Sequence, residues 1–371
     1  MPELCDVFRL HGRAYREKYG RTMLSSHHRA MNDIMNCRTE ALGGHVLICQ
    51  KCGHKVYSYH SCKSRACPKC HINDTEAWME KRRQEVLPTQ YFHVIITLPA
   101  QWRRTFSSNQ KVLYSIVMRA AAAAIIKLAA DKKHVGGQVG VMAVLHTWTR
   151  TMVYHPHVHC LVTGGGASRD NQHWQEAKPG YLFPKRALSK VFRGIFIEML
   201  REEQPSLQLP KRVTGQKWVA HVKAAGQGTE AVLGYLARYV HRTAICNSRI
   251  LEVTDKAVTF SYRDNRDQRQ KTMSLPPEEF IRRFLQHVLP KGFHRVRYYG
   301  LWSTARQNIL KKIQVTLAWL IPAFKSPRRV EQGKESAGKA IHPMEGRDCP
   351  VCHNGRLVWR GRVPPWGRKP P

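Results

Sequence analysis

Tyr154-His155-Pro156-His157-Val158-His159-Cys160-Leu161-Val162-Thr163-Gly164-Gly165-Gly166 is the stretch on which the reading of this chain turns. It reads as a strand that leaves a turn and ends in a glycine loop. Residues two apart on a strand share a face, so His157 and His159 project together while Val158 turns into a core. Two neutral imidazoles side by side on a rigid strand form half of a metal site. The plainer alternative is a pair of half-exposed strand histidines. The run into an apolar strand and three glycines favours the metal.

Upstream, Gly140–Trp148 reads as a second strand, joined to the first by the short Thr149–Val153 connection. So short a link makes the two antiparallel neighbours. His146 then lies beside His157 and His159 and is the preferred third ligand, with His155 and His93 as alternatives. His93 belongs to an apolar strand, Tyr91–Pro99, and an alanine-rich helix spans residues 107–131. Downstream come a loop over Gly164–Lys185, an amphipathic helix over Ala187–Glu203 and a strand over Trp218–Val222. Thr229–Arg242 has helical character, and its Tyr235 and Tyr239, four apart, share one face. An aromatic stripe packed on the sheet is the competing explanation. A hairpin follows at 257–263 and 270–275, then a helix over Pro276–Val288 introduced by Pro-Pro-Glu-Glu. Lys291–Gly300 interleaves basic and aromatic residues, a pattern suited to single strands. A last helix covers about Thr304–Leu320, and the basic, proline-rich chain after Pro322 reads as a flexible tail.

The N-terminal part is a cysteine module. Residues 1–30 are polar, with a first short helix over His27–Met35, and a further helix over 74–87 is closed by Pro88. Cys49-x-x-Cys52 and Cys67-x-x-Cys70 are two knuckles that together make a four-sulfur zinc site. Cys37 and Cys62 remain, with His45 and His60 nearby, and suggest a second zinc; buried free thiols are the alternative. Cys349-x-x-Cys352 supplies only two ligands. It recruits His342 or His353, completes a site elsewhere, or binds nothing.

Composition narrows the partner. The 371 residues carry 61 Lys+Arg against 26 Asp+Glu, a formal net charge of +35, with a hydrophobic share of 42% that is enough for a real core. A field this positive attracts polyanions, and nucleic acid is the leading candidate. The candidate DNA contacts are Lys63, Arg65, Lys69, Arg238, Arg242, Lys291, Arg295 and Arg297. The N-terminus has no secretory pattern, and neither Ala120–Ala130 nor Thr316–Phe324 is long and apolar enough to span a bilayer. Cys-x-x-Cys spacing in a cytosolic chain favours zinc over disulfides. The expected location is the cytoplasm.

A histidine pair on a strand, tyrosines on a later helix and a strongly basic surface fit one reaction class. A tyrosine hydroxyl attacks a DNA phosphodiester and becomes joined to the 5′ phosphate, conserving the bond energy for rejoining. Tyrosine is a poor nucleophile at neutral pH because its pKa is about 10. A divalent ion held by the histidines would polarise the phosphate and offset developing charge.

His157-Val158-His159 with Gly164-Gly165-Gly166, followed by Tyr235-x3-Tyr239 and preceded by the Cys37–Cys70 cluster, resembles the HUH-type transposases of the IS91 group, ISCR elements included. The resemblance extends to Tyr91–Pro99, to Leu145-His146-Thr147-Trp148 and to the Pro290–Gly300 segment, about residues 20 to 300 in all. It implies an α+β fold: a palm-like antiparallel sheet carrying the histidines, with helices, plus an N-terminal zinc domain. The expected divisions are 1–88 for the zinc-binding DNA-binding domain, 89–300 for the catalytic domain and 301–371 for a helix and basic tail. It also implies nicking and joining of single-stranded DNA at transposon ends by a rolling-circle route, with Mg2+ or Mn2+ for catalysis and Zn2+ for structure. Tyr235 and Tyr239 both carry over as catalytic candidates. A plasmid replication initiator or relaxase would share this chemistry, though the zinc domain argues against it. A non-catalytic zinc nucleic-acid-binding protein would share the charge and the cysteines only. A zinc hydrolase is disfavoured because the sequence has no His-Glu-x-x-His motif.

Overall fold

The computed structural model describes residues 1–70, 85–210, 218–227, 242–320 and 342–366, with single positions 213, 216, 232, 234, 239 and 240. The expected helix over 74–87 lies outside the described residues except at its end.

The chain opens with two helices, α1 (Leu4–Tyr19) and α2 (Ser25–Asn36). The helix expected first, His27–Met35, is thus the second, and a longer one precedes it within the polar first thirty residues. α1 is studded with Arg and Lys on its outer face, but Leu4, Val7, Phe8 and Tyr15 recur at helical spacing and are buried. A hairpin, β1 (Gly44–Cys49) and β2 (Lys55–Tyr59), follows, then the long strand β3 (Gln90–Thr97). The helix expected over 107–131 is two helices, α3 (Trp102–Ser108) and α4 (Gln110–Ala129), separated at Asn109. α4 is long and apolar enough to cross a membrane by length and composition, more so than the Ala120–Ala130 segment alone suggests. Here it is a core helix, with Leu113, Ile116, Val117, Ala120, Ala121 and Ala124 fully buried.

β4 (Gln138–Trp148) and β5 (Tyr154–Ala167) come next. The expected glycine loop at Gly164 is a continuation of β5, which pairs there with the short β6 (Trp174–Glu176). A Cβ on Gly164 would fall 2.1 Å from Gln90 Cγ, so glycine is required by close approach of neighbouring chain. The order then runs through α5 (Lys185–Glu203), β7 (Val219–Gln227), β8 (Ile250–Val253), β9 (Val258–Arg263), β10 (Gln270–Leu275), α6 (Pro277–Leu285), β11 (Val296–Gly300), α7 (Gln307–Leu320) and β12 (Leu357–Val363).

The central sheet has the order β11-β4-β5-β3-β7, with every pairing antiparallel. Strand alternation gives it two different faces. Val94, Ile96, Val141, Ala143, Leu145, Val158, Cys160 and Val162 face α3, α4 and α5 and form the largest core with Trp102, Phe106, Phe192 and Phe196. On the other face, Tyr91, Met142, Val144 and Leu161 pack against Leu310, Ile313 and Leu317 of α7. The part of that face left by α7 carries the histidines.

A separate core joins α1 and α2 to residues 244–288, including the β8–β10 sheet and α6. Phe8 meets Phe284 edge-on, ring centroids 5.6 Å apart, at its centre. The expectation of a flexible tail is corrected for residues 342–366. β12 pairs antiparallel with β1, making the three-stranded sheet β12-β1-β2. Leu357-Val358-Trp359-Arg360-Gly361-Arg362-Val363 has strand character that the surrounding proline and arginine conceal.

Candidate metal centre and nucleic-acid cleft

β4 and β5 are in register so that His146 lies opposite His157, and His159 follows two residues along the same face. The ring centroids are 4.4 Å apart for His146–His159, 4.8 Å for His157–His159 and 5.6 Å for His146–His157. One nitrogen from each lies within 4.8 Å of the others, close enough to converge on one ion. Each ring has its other nitrogen engaged. His157 Nδ1–H donates to the His155 carbonyl at 2.7 Å, and His146 Nε2–H donates to the Tyr239 carbonyl at 2.8 Å. His159 Nδ1 pairs with His93 Nε2 at 2.8 Å. Such bonds fix tautomer and ring orientation and leave one lone pair per ring facing the common centre. His155 and His93, the alternative third ligands, are not in the convergent group, although His155 lines the same cleft. His155 provides the carbonyl, its own ring accepting from Arg103 at 3.3 Å, and His93 provides the ring partner.

Electrostatics keep the imidazoles neutral. Burial holds His157 and His93 down to about 4, and burial with mutual repulsion holds His146 and His159 well below the ordinary value. Neutral imidazole is the metal-binding form.

Tyr239 closes one side. Its half-buried ring lies 4.6 Å from His159 and 5.1 Å from His93, centroid to centroid. Tyr235 and Arg238 lie outside the described residues. The cleft over the triad encloses about 710 Å³ and is lined by Arg150, Arg242, Arg249, His221 and Asn265 as well as by Tyr239. Among the described residues that line it there is no carboxylate. Such a cleft concentrates phosphate. His221, on β7 opposite Ile95, was not singled out in the sequence. The alternation Ala220-His221-Val222-Lys223 is the signal that places it on the histidine face.

The structure divides the cysteines differently from the sequence reading. Cys37, Cys62, Cys67 and Cys70 form one tetrad, with Cys70 Sγ 3.4 Å from Cys37 Sγ and 3.5 Å from Cys62 Sγ. Cys49 and Cys52 face Cys349 and Cys352 instead of Cys67 and Cys70. Chain proximity suggested the first pairing, but β1 and β2 carry the 49/52 turn away from the other knuckle. His45 and His60 join neither tetrad. Their rings meet edge to face with centroids 5.0 Å apart, and His45 meets His342 at 4.9 Å.

Several of the expected DNA contacts hold the protein together. Arg65 donates to the carbonyls of Phe293 and Pro290, Arg295 to those of Val240 and Arg242, and Lys69 is paired with Glu3. Arg297 bonds Ser115 Oγ at 3.0 Å and lies over the Phe293 ring. Lys63, Arg65, Lys291 and Arg295 all line a second cleft, between α2 with the cysteine loop and residues 284–295, and Arg242 lines the histidine cleft.

Comparison with known proteins gives the family. Residues 140–309, which include the triad and Tyr239, match the family model described as "Putative transposase". Residues 7–98 match a "Transposase zinc-binding domain". The chain is 39% identical to "Putative transposase y4qJ" of Sinorhizobium fredii, over 96% of this chain and 94% of that one. It is 28% identical to "Transposase for insertion sequence element IS801" of Pseudomonas savastanoi pv. phaseolicola, over 89% and 82% of the two chains. No solved structure matches the chain. With a zinc-binding domain ahead of a transposase domain, and relatives matched nearly end to end, the chain belongs to the IS91-type transposases.

Proposed function

We propose that this transposase nicks and rejoins single-stranded DNA through a 5′-phosphotyrosine intermediate, on a palm-like HUH core, in rolling-circle transposition. The observation that carries the reading is the meeting of Tyr239 with three imidazoles in an arginine-lined cleft. Tyr239 is the nucleophile within the described residues, and Tyr235, four residues earlier in sequence, is the candidate for the second.

His146, His157 and His159 would hold the divalent ion, and the neutral, pre-oriented donor set fits one. When bound, the ion supplies Lewis-acid polarisation of the scissile phosphate. Three nitrogen donors suit Mn2+ better than Mg2+, which prefers oxygen. Arg150, Arg242 and Arg249 hold phosphates along the cleft. The tyrosine oxygen attacks phosphorus, the bond to the 3′ oxygen breaks, and the released strand takes up a proton as a free 3′ hydroxyl. The phosphate stays on tyrosine, and attack by a later 3′ hydroxyl reverses the step and frees the tyrosine. With two tyrosines, one holds the donor strand while the other attacks again. Cys37, Cys62, Cys67 and Cys70 hold a structural zinc, and the protein works on DNA at the nucleoid.

The test is incubation of the protein with single-stranded element ends and Mn2+. A covalent protein–DNA adduct is expected, absent in the Tyr235→Phe/Tyr239→Phe double variant. An adduct that persists in that variant overturns the reading, and binding without nicking in any buffer favours a purely DNA-binding role.

A further inference from the structure

Cys349 and Cys352 lie outside both family matches, which end at residues 98 and 309. Their surroundings are nevertheless those of a built site. Cys49 Sγ is 3.7 Å from Cys352 Sγ, and Cys52 Sγ is 3.7 Å from Cys349 Sγ. Four thiolates at tetrahedral corners around zinc, each about 2.3 Å from the ion, stand about 3.8 Å apart. A disulfide would need about 2.05 Å.

The two turns are copies of each other. In the first, Lys51 N–H donates to Cys49 Sγ at 3.4 Å; in the second, Val351 N–H donates to Cys349 Sγ at 3.5 Å. Gly53 N–H returns to the Cys49 carbonyl and His353 N–H to the Cys349 carbonyl, each at 3.0 Å. Gly53 and His353 both have positive φ, 71° and 56°. A left-handed histidine is uncommon, and its presence at the equivalent place shows the second turn held in the shape of the first. Main-chain N–H groups aimed at sulfur stabilise the thiolate, the metal-binding form. The backbone also crosses directly over the sulfur: a Cβ on Gly355 would lie 2.4 Å from Cys49 Sγ.

Beyond the β1–β12 ladder the apolar contact is slight. Leu47, Cys49, Cys349 and Leu357 are the buried members of this core, with Val56, Met344 and Cys352 against it. So small an apolar cluster does not hold 25 residues without a staple.

We propose that a second zinc ion, bound by Cys49, Cys52, Cys349 and Cys352, clasps residues 342–366 onto the N-terminal hairpin. The zinc module is thereby completed by the far end of the chain, which supplies its third strand and adds Arg356, Arg360 and Arg362 to the module of Lys51 and Lys55. The proposal is independent of the tyrosine chemistry.

The test counts zinc per chain in the purified full-length protein by elemental mass spectrometry. Cys349→Ser/Cys352→Ser is expected to lose one equivalent, Cys49→Ser/Cys52→Ser the same one, and the quadruple variant still only one. Hydrogen exchange should quicken at 44–49 and 357–363 in the first variant while 138–148 keeps its protection, which controls for global unfolding. On the wild type, chelator release of one equivalent should quicken the same two strands. An unchanged zinc count in Cys349→Ser/Cys352→Ser, a quadruple variant that loses two equivalents, or chelation that leaves 357–363 protected would each overturn it.

Discussion

His146 donates its Nε2–H to the main-chain carbonyl of Tyr239 at 2.8 Å. One bond therefore ties a prospective metal ligand to the segment carrying a prospective nucleophile, across 93 residues of sequence. It also leaves Nδ1 as the free donor of His146. The ion site and the tyrosine segment are set relative to each other by main-chain geometry, before DNA arrives.

His93 orients His159 without belonging to the triad. His93→Ala should lower Mn2+ affinity by roughly 10–100-fold, the usual cost of losing a partner behind a ligand. Calorimetric titration of the full chain measures it. His93→Gln can still accept from Nδ1 and should recover part of the loss. An affinity unchanged in His93→Ala would show that His159 needs no such support.

Metal preference follows from the donor set. Nicking should be faster with Mn2+ than with Mg2+ at equal concentration, because imidazole nitrogens bind the softer ion more readily. Equal rates at sub-saturating metal would mean that DNA phosphates or a carboxylate from outside the cleft supply most of the binding.

Acid should destabilise the metal-free protein in a defined window. His27, His93, His157 and His287 are held by burial at about 4, against about 6.5 when unfolded. The unfolded chain takes up protons first, so stability falls as pH drops from about 6.5 towards 4 and levels off below. Thermal melts between pH 8 and 4 with the histidine site empty should show Tm declining mainly in that interval. Adding Mn2+ should raise Tm near neutral pH and extend the decline to lower pH, since the ion binds the neutral rings of the folded state.

Phe8→Ala removes the ring that packs on Phe284 between the N-terminal helices and the 244–288 region. A loss of about 3–5 kcal/mol is expected for a fully buried phenylalanine. Denaturant unfolding followed by hydrogen exchange should show the loss in α1 and α6 first, with β4 and β5 less affected.

The central sheet was legible because each of its main strands is apolar on alternate residues or throughout, and the short 149–153 link fixed one pairing. From that pairing His146 followed directly. His93 and His155 were seen as rivals for the same role because sequence spacing cannot separate a ligand from the group that orients it. The cysteines were misgrouped for a different reason. Knuckles were matched by nearness in the chain, whereas the partner of Cys49 lies 303 residues away. α1 was missed because its arginines and lysines hide a buried stripe. Charge and basic–aromatic interleaving pick out the candidate DNA contacts, but neither shows that Arg65 and Arg295, which line the second cleft, also donate to carbonyls of their own chain while Arg242 lines the histidine cleft.

The convergence of three imidazoles on one ion is measured most directly by pulsed electron paramagnetic resonance on the full chain loaded with one equivalent of Mn2+. Nitrogen couplings from three histidines are expected, reduced by one in each of His146→Ala, His157→Ala and His159→Ala. Bound Mn2+ that shows no nitrogen coupling, or couplings that all three variants leave unchanged, would contradict the assignment of this cleft as the metal centre.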